Sequence, residues 1–213
     1  MEVIIKRAKL LNVREQKFYW KSIETAAEVI RAGEPVAFPT ETVYGLGVRE
    51  DNDKARECIY QIKNRSDKKK LSLMIADIED LKKYVDTLSV TAKRLVEHFW
   101  PGALGIIFPL KNGTDLCIRL PDNSVARDLI HTAKISLLTT SANISGNPPA
   151  TNAQQVMRDL HNKIRVVLDG GATRLRSPST IIKFSGETFE IVRHGIISET
   201  VLRNCLENGF VKA

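Results

Sequence analysis

At 213 residues, 43% of them apolar, the chain has the length of one or two domains and enough apolar content to bury a large core without a disulfide or metal staple. Its 32 Lys and Arg outnumber 25 Asp and Glu for a formal charge of +7, which favours anionic partners without naming one. Cys58, Cys117 and Cys205 are odd in number and widely spaced, which argues against a disulfide framework or zinc cage, and with no bilayer-length apolar run and no signal-peptide core in Met1 to Arg7 the expectation is a soluble cytoplasmic protein.

No stretch reads as a linker or repeat, so one domain over residues 1–213 is the simpler expectation. Ser22 reads as the N-cap of a helix through Ala32, with apolar Ala26, Ala27, Val29 and Ile30 and a stop at Gly33. A short buried strand is expected at Val36 to Phe38. A second helix starts near Asp51 to Asp53 and sets Ala55, Cys58, Ile59 and Ile62 on one face. Leu71 to Ala76 reads as a strand, followed by short helices at Ile78 to Val85 and Ala92 to Phe99, the latter closed by Pro101 and Gly102. Leu104 to Leu110 and Leu116 to Leu120, parted by Asn112 and Gly113, predict an antiparallel hairpin and hence a mixed sheet. A helix at Val125 to Thr132, a strand at Ile135 to Thr139, a helix at Ala153 to Leu160 and a strand at Val166 to Leu168 follow. Strands at Thr180 to Phe184 and Thr188 to Val192 and a helix at Glu199 to Leu206 complete an alternating α/β pattern.

Three stretches carry chemistry. Pro39 to Gly47, PTETVYGLG, begins where a buried strand surfaces, the usual place for a ligand; its glycines permit close approach, although a polar turn uses the same residues. Lys63 to Lys70 puts five cations in eight residues, a density suited to polyphosphate and equally found in solvated charge runs. Thr139 to Gly146, TTSANISG, offers four hydroxyls and an amide after an apolar strand, able to bind polar ligands or simply to cap the next helix. There is no GxxxxGK[ST] loop, GxGxxG fingerprint, HExxH helix or GxSxG elbow, so catalysis would rest on holding and neutralising substrates.

In order, PTETVYGLG, KNR with its trailing lysines, WPG at Trp100 to Gly102, IRLPD at Ile118 to Asp122, TTSANISG, and STII followed by RHG resemble the YrdC-domain family of threonylcarbamoyl-AMP synthases, from about Ser22 to Ser198. The resemblance implies a single α/β domain whose twisted mixed parallel and antiparallel sheet, flanked by helices, forms a basic concave cavity. It implies conversion of L-threonine, bicarbonate or CO2, and ATP with Mg²⁺ into L-threonylcarbamoyladenylate and pyrophosphate, with a partner enzyme passing the group to an adenosine of tRNA. It makes Lys63 and Arg65 catalytic, sets Arg65, Lys69, Asn143, Thr151 and Arg193 at ATP, and sets Thr42, Arg119, Ser141 and Ser179 at threonine, with Thr40 and Tyr44 lining the pocket. The sequence departs from the family at Ser66 and Lys70, where Pro is usual, and at Ala103 and Gly105, where Pro and Thr are usual after WPG. A site-closing segment of longer members would be replaced by the N-terminal stretch or the C-terminal helix, or left out. Two other readings fit parts of the pattern: a module gripping RNA with its basic cavity, and an enzyme of the same fold using another carbamoyl donor.

Overall fold

The computed structural model describes residues 7–207. Ten strands form one mixed sheet: β1 (Lys9–Asn12), β2 (Val36–Phe38), β3 (Gly45–Arg49), β4 (Ser72–Met74), β5 (Leu104–Pro109), β6 (Asp115–Arg119), β7 (Leu137–Ser141), β8 (Val166–Asp169), β9 (Thr180–Ser185) and β10 (Thr188–Arg193). Their order is β1-β8-β2-β3-β7-β4-β6-β5-β9-β10. Helices α1 (Gln16–Arg31), α2 (Asp53–Lys63), α3 (Val90–Phe99), α4 (Ser124–Ala133), α5 (Ala153–Leu160) and α6 (Glu199–Glu207) cover it.

Period-two alternation divides the core into two layers. Val36, Phe38, Val166 and Leu168 turn to the face packed by α1 and α4, while Ala37 and Val167 turn to the other. β8 is buried along its whole length, as expected of an interior strand paired in parallel with β1 and β2. The two-sided burial fixes where each strand ends, and it is at strand ends that polar side chains gather.

Local chemistry explains most boundaries. Asn52 accepts from Ala55 N at 3.0 Å to start α2, and Gly33, at φ 82°, lets the chain leave α1 as its N–H donates to Ile30 O. The predicted hairpin forms from β5 and β6, antiparallel.

Several expectations are corrected. Ser22 is not an N-cap: α1 begins at Gln16, and the buried Ser22 hydroxyl donates to Asn12 O at 2.9 Å. The turn that launches the helix is made by Asn12 Oδ1, which accepts from Arg14 N and Glu15 N. Ile78–Lys83 is a 3₁₀ turn held by an Asp77/Asp80 capping box. β7 runs to Ser141, so Thr140 and Ser141 belong to the strand rather than to the loop after it. Gly45 and Gly47, read as room for a ligand, open β3, and a Cβ on Gly47 would stand 2.9 Å from the Phe38 ring. Gly47 is therefore required by core packing, and only Gly45 reaches the cavity.

Candidate active site

A cavity of about 230 Å³ opens where the ends of β6, β7 and β10 meet the turn between β2 and β3 and the segment before β9. Thr40, Thr42 and Tyr44 supply one side, Arg119 and Ser141 the floor strands, and Ser179 and Arg193 the opposite side. Seven residues given site roles from the sequence thus line one cavity, drawn from segments as much as 153 positions apart.

The hydroxyl side is tightly bonded. Thr40 Oγ1 lies 2.9 Å from Thr42 Oγ1 and donates to Val43 O at 2.6 Å. Tyr44 is fully buried; its hydroxyl donates to Gly171 O at 2.8 Å and accepts from Gly170 N, and burial raises its pKa. It ties the turn to the end of β8 rather than presenting a proton to solvent.

The cationic side holds two arginines in fixed poses. Arg119 donates from Nε to Gly102 O at 3.0 Å and from Nη2 to Glu41 Oε1 at 2.6 Å and Thr42 Oγ1 at 3.1 Å. Arg193 grips Ser179 through its carbonyl and its hydroxyl, the latter at 2.8 Å. Burial first, and then repulsion from Arg119 and Arg65, lowers the Arg193 pKa. Cys117, on β6 between these groups, also lines the cavity; burial pushes its thiol up, while a bond with Ser72 and the nearby Arg193 and Arg119 pull the other way.

The remaining predicted residues lie outside that wall. Lys63 is almost wholly buried at the end of α2, and its ammonium donates to Ser141 O and Asn143 O, with Asn143 Oδ1 at 3.5 Å. Burial, reinforced by the charge of Arg65, pulls its pKa down to about 8. Ser145 N returns a bond to Lys63 O at 2.9 Å, so the basic loop and the TTSANISG loop are joined at this lysine. Asn143 donates to Ile144 O and Asn147 O, closing its own loop. Arg65 spends its guanidinium on Lys69 O and Lys70 O, which curls the basic loop and leaves the Lys69 side chain exposed. Thr151 bonds Gln155 Oε1 from its N–H and hydroxyl at the start of α5.

Two of the four departures, Ser66 and Gly105, have local explanations. Ser66 Oγ accepts from Lys68 N at 3.3 Å in the turn where Pro is usual. A Cβ at Gly105 would meet Cys117 Sγ at 2.9 Å, so the thiol fills the space that a side chain there would need. Glu41 is the residue given no role from sequence: it stood inside PTETVYGLG, but nothing in its spacing tied it to Arg119, 78 positions away.

Comparison with known proteins gives the family and the fold. The Sua5/yciO/yrdC family model, described as telomere recombination, matches residues 28–195. The threonylcarbamoyl-AMP synthase of Pyrococcus abyssi is 38% identical over 182 residues, covering 81% of this chain and 53% of that one. A Methanocaldococcus jannaschii relative is 33% identical over 202 residues, covering 92% of this chain and 94% of its own. The crystal structure of P. abyssi Sua5 complexed with L-threonine superposes with a TM-score of 0.88 at 33% identity, covering 94% of this chain and 61% of that one. The chain thus spans about half the length of the P. abyssi synthase.

Proposed function

The chain belongs to the Sua5/YciO/YrdC family, and from that membership we propose that it is an L-threonylcarbamoyladenylate synthase serving threonylcarbamoyladenosine formation in tRNA. The observation that carries the reading is the convergence of Thr42, Arg119, Ser141, Ser179 and Arg193 on a single cavity of amino-acid size.

The chemistry needs no protein nucleophile. The threonine amine attacks CO2 and releases a proton; a carbamate oxygen then attacks the α-phosphorus of ATP, and the bond to the β-phosphate oxygen breaks to release pyrophosphate. Fixing the two reactants in line is worth about 7 to 11 kcal/mol, so positioning and charge neutralisation suffice. Arg119, Thr42, Ser141 and Ser179 hold the amino acid in this reading, with Thr40 and Tyr44 shaping the pocket. Arg193, Asn143 and Thr151 serve the nucleotide. Arg65 and Lys69, with Lys63 locking their loop to Asn143, offset the charge that grows on pyrophosphate. Among the described residues no group of three or more His, Cys, Asp or Glu is placed to hold a metal ion. Magnesium, when bound with the triphosphate, would supply further charge neutralisation at its oxygens.

ATP use and the free thiols Cys58, Cys117 and Cys205 suit the cytoplasm, and no described helix is long and apolar enough to cross a membrane. A transfer enzyme would consume the adenylate, and the exposed Lys68 to Lys70 run is where RNA contact would fall.

The test is pyrophosphate release with each substrate omitted in turn. Release that requires ATP, threonine and bicarbonate together is expected. Release indifferent to threonine would favour an enzyme using another carbamoyl donor, and RNA binding without turnover would favour a binding module.

A further inference from the structure

We infer that Glu41 is a positioning residue for the amino-acid substrate: its ion pair holds the Arg119 guanidinium so that Nη1 is the edge presented to a substrate carboxylate. The inference rests on the synthase reading.

Three acceptors from two separate segments fix Arg119. Gly102 O takes Nε at 3.0 Å, Thr42 Oγ1 takes Nη2 at 3.1 Å, and Glu41 Oε1 takes the same Nη2 at 2.6 Å. None of these bonds uses Nη1. A guanidinium is planar, so acceptors on Nε and Nη2 set the direction of Nη1 as well. The rotamer freedom of a long side chain is then lost on folding and does not have to be lost when substrate binds.

The surroundings of Glu41 suit this task. Its side chain is 2% exposed and lies outside the cavity lining, so it does not itself present a carboxylate to a ligand. Its Oε2 is buried with no hydrogen-bond partner, an arrangement that is retained only if Oε1 and its charge are needed where they are. The Glu41 backbone is anchored too, its carbonyl accepting from Leu175 N at 2.8 Å. The carboxylate also compensates the buried Arg119 charge, so the arginine remains in the wall when the cavity is empty.

The opposite relation is testable against this one: Glu41 could compete with substrate for Arg119, in which case removing its charge would tighten threonine binding. The experiment uses the full chain with Glu41→Gln, Arg119→Met and the double variant, varying threonine and ATP separately in the pyrophosphate assay. In Glu41→Gln the KM for threonine is expected to rise by about tenfold or more with the KM for ATP and kcat within about threefold. In the Arg119→Met background, Glu41→Gln is expected to change the KM for threonine by less than about twofold, because the two act as one unit. An unchanged or lowered KM for threonine, a matching rise in both KM values, or a full Glu41→Gln effect without Arg119 would overturn the inference. Should Glu41→Gln fail to fold, the comparison of Arg119→Met with the double variant decides alone, since neither leaves an unpaired arginine. Should the wild type release no pyrophosphate, the synthase reading has failed separately, and calorimetric titration with L-threonine still decides: about tenfold weaker binding to Glu41→Gln supports the positioning role, and equal binding ends it.

Discussion

The cavity wall and the basic loop are both rich in cations, but they hold them differently. Arg119 is buried while Arg193 reaches solvent, yet each is fixed by two or more acceptors. Lys68, Lys69 and Lys70 stand exposed on a loop whose shape is set by Arg65 bonding to its carbonyls. Charge that is desolvated and paired specifies geometry, because any movement breaks bonds that water cannot replace. Charge on a solvated loop adds potential and little else. The wall should therefore decide which substrate is held, and the loop how strongly a polyphosphate is drawn in.

The largest effect should come from breaking the wall's central pair. Arg119→Met leaves the Glu41 carboxylate buried without its cation, a change that costs about 3 to 5 kcal/mol of stability in comparable buried pairs. Threonine-dependent kcat/KM should fall by roughly a thousandfold, since both orientation and charge are lost. Denaturant unfolding and the pyrophosphate assay read the two together; full activity in a stable variant would remove Arg119 from the site.

Next in size is the joint between the two regions. Lys63→Met should lower kcat by roughly a hundredfold by freeing the Asn143 loop. It should also change the pH dependence of stability. The folded lysine titrates near 8, well below its ordinary 10.5, so between those values the unfolded chain binds more protons and stability rises with pH. Relative to Lys63→Met, the wild type should gain up to about 1.4 kcal/mol per pH unit across that window. Parallel curves for the two proteins from pH 8 to 10 would show that the ammonium is not held in the folded state as described.

A smaller and more local effect belongs to the cavity floor. Gly105→Ala places a methyl 2.9 Å from Cys117 Sγ and 3.3 Å from Ile181 Cγ1, overpacking that should cost about 1 to 3 kcal/mol and raise the KM for threonine. Adding Cys117→Ala should recover most of both losses, because the thiol is the nearer of the two obstacles. No recovery in the double variant would place the strain at Ile181.

The wall and the loop also differ in how far they could be read from sequence. Helix α2 was legible because Asn52 and the apolar face act within a few residues, and the β5–β6 hairpin because its turn is marked by Asn112 and Gly113. β1 was not, since Lys9 to Asn12 becomes a strand only by pairing in parallel with Val166 to Asp169. β3 was hidden by its own glycines, which weaken any strand signal and are explained by the Phe38 ring, which packs over both Gly45 and Gly47. At the site, the motifs named Thr42, Ser141 and Arg193 from their local residue types and family resemblance. The Glu41–Arg119 pair was invisible because a side-chain contact across 78 positions leaves no local signature. Lys63 took its expected role at the phosphates from the family resemblance and its place in the charge run, and its burial against Ser141 O and Asn143 O depends on how α2 docks against the end of β7.

The weakest effect should follow from neutralising the loop. Replacing Lys68, Lys69 and Lys70 together by Ala removes three exposed charges, of which the one with a described partner makes a 3.3 Å bond to Asp115 O. Stability should stay within about 0.5 kcal/mol of wild type, as for surface substitutions generally. The KM for ATP should rise by only a few fold, and the rise should shrink as salt is added, because screening at about 0.15 M already weakens exposed charges beyond roughly 8 Å. Threonine KM should not move. A loss of ATP binding as large as that caused by Arg119→Met in threonine use, and insensitive to salt, would mean that the loop closes into a fixed phosphate site when nucleotide binds, and the contrast between held and solvated charge would then describe only the empty protein.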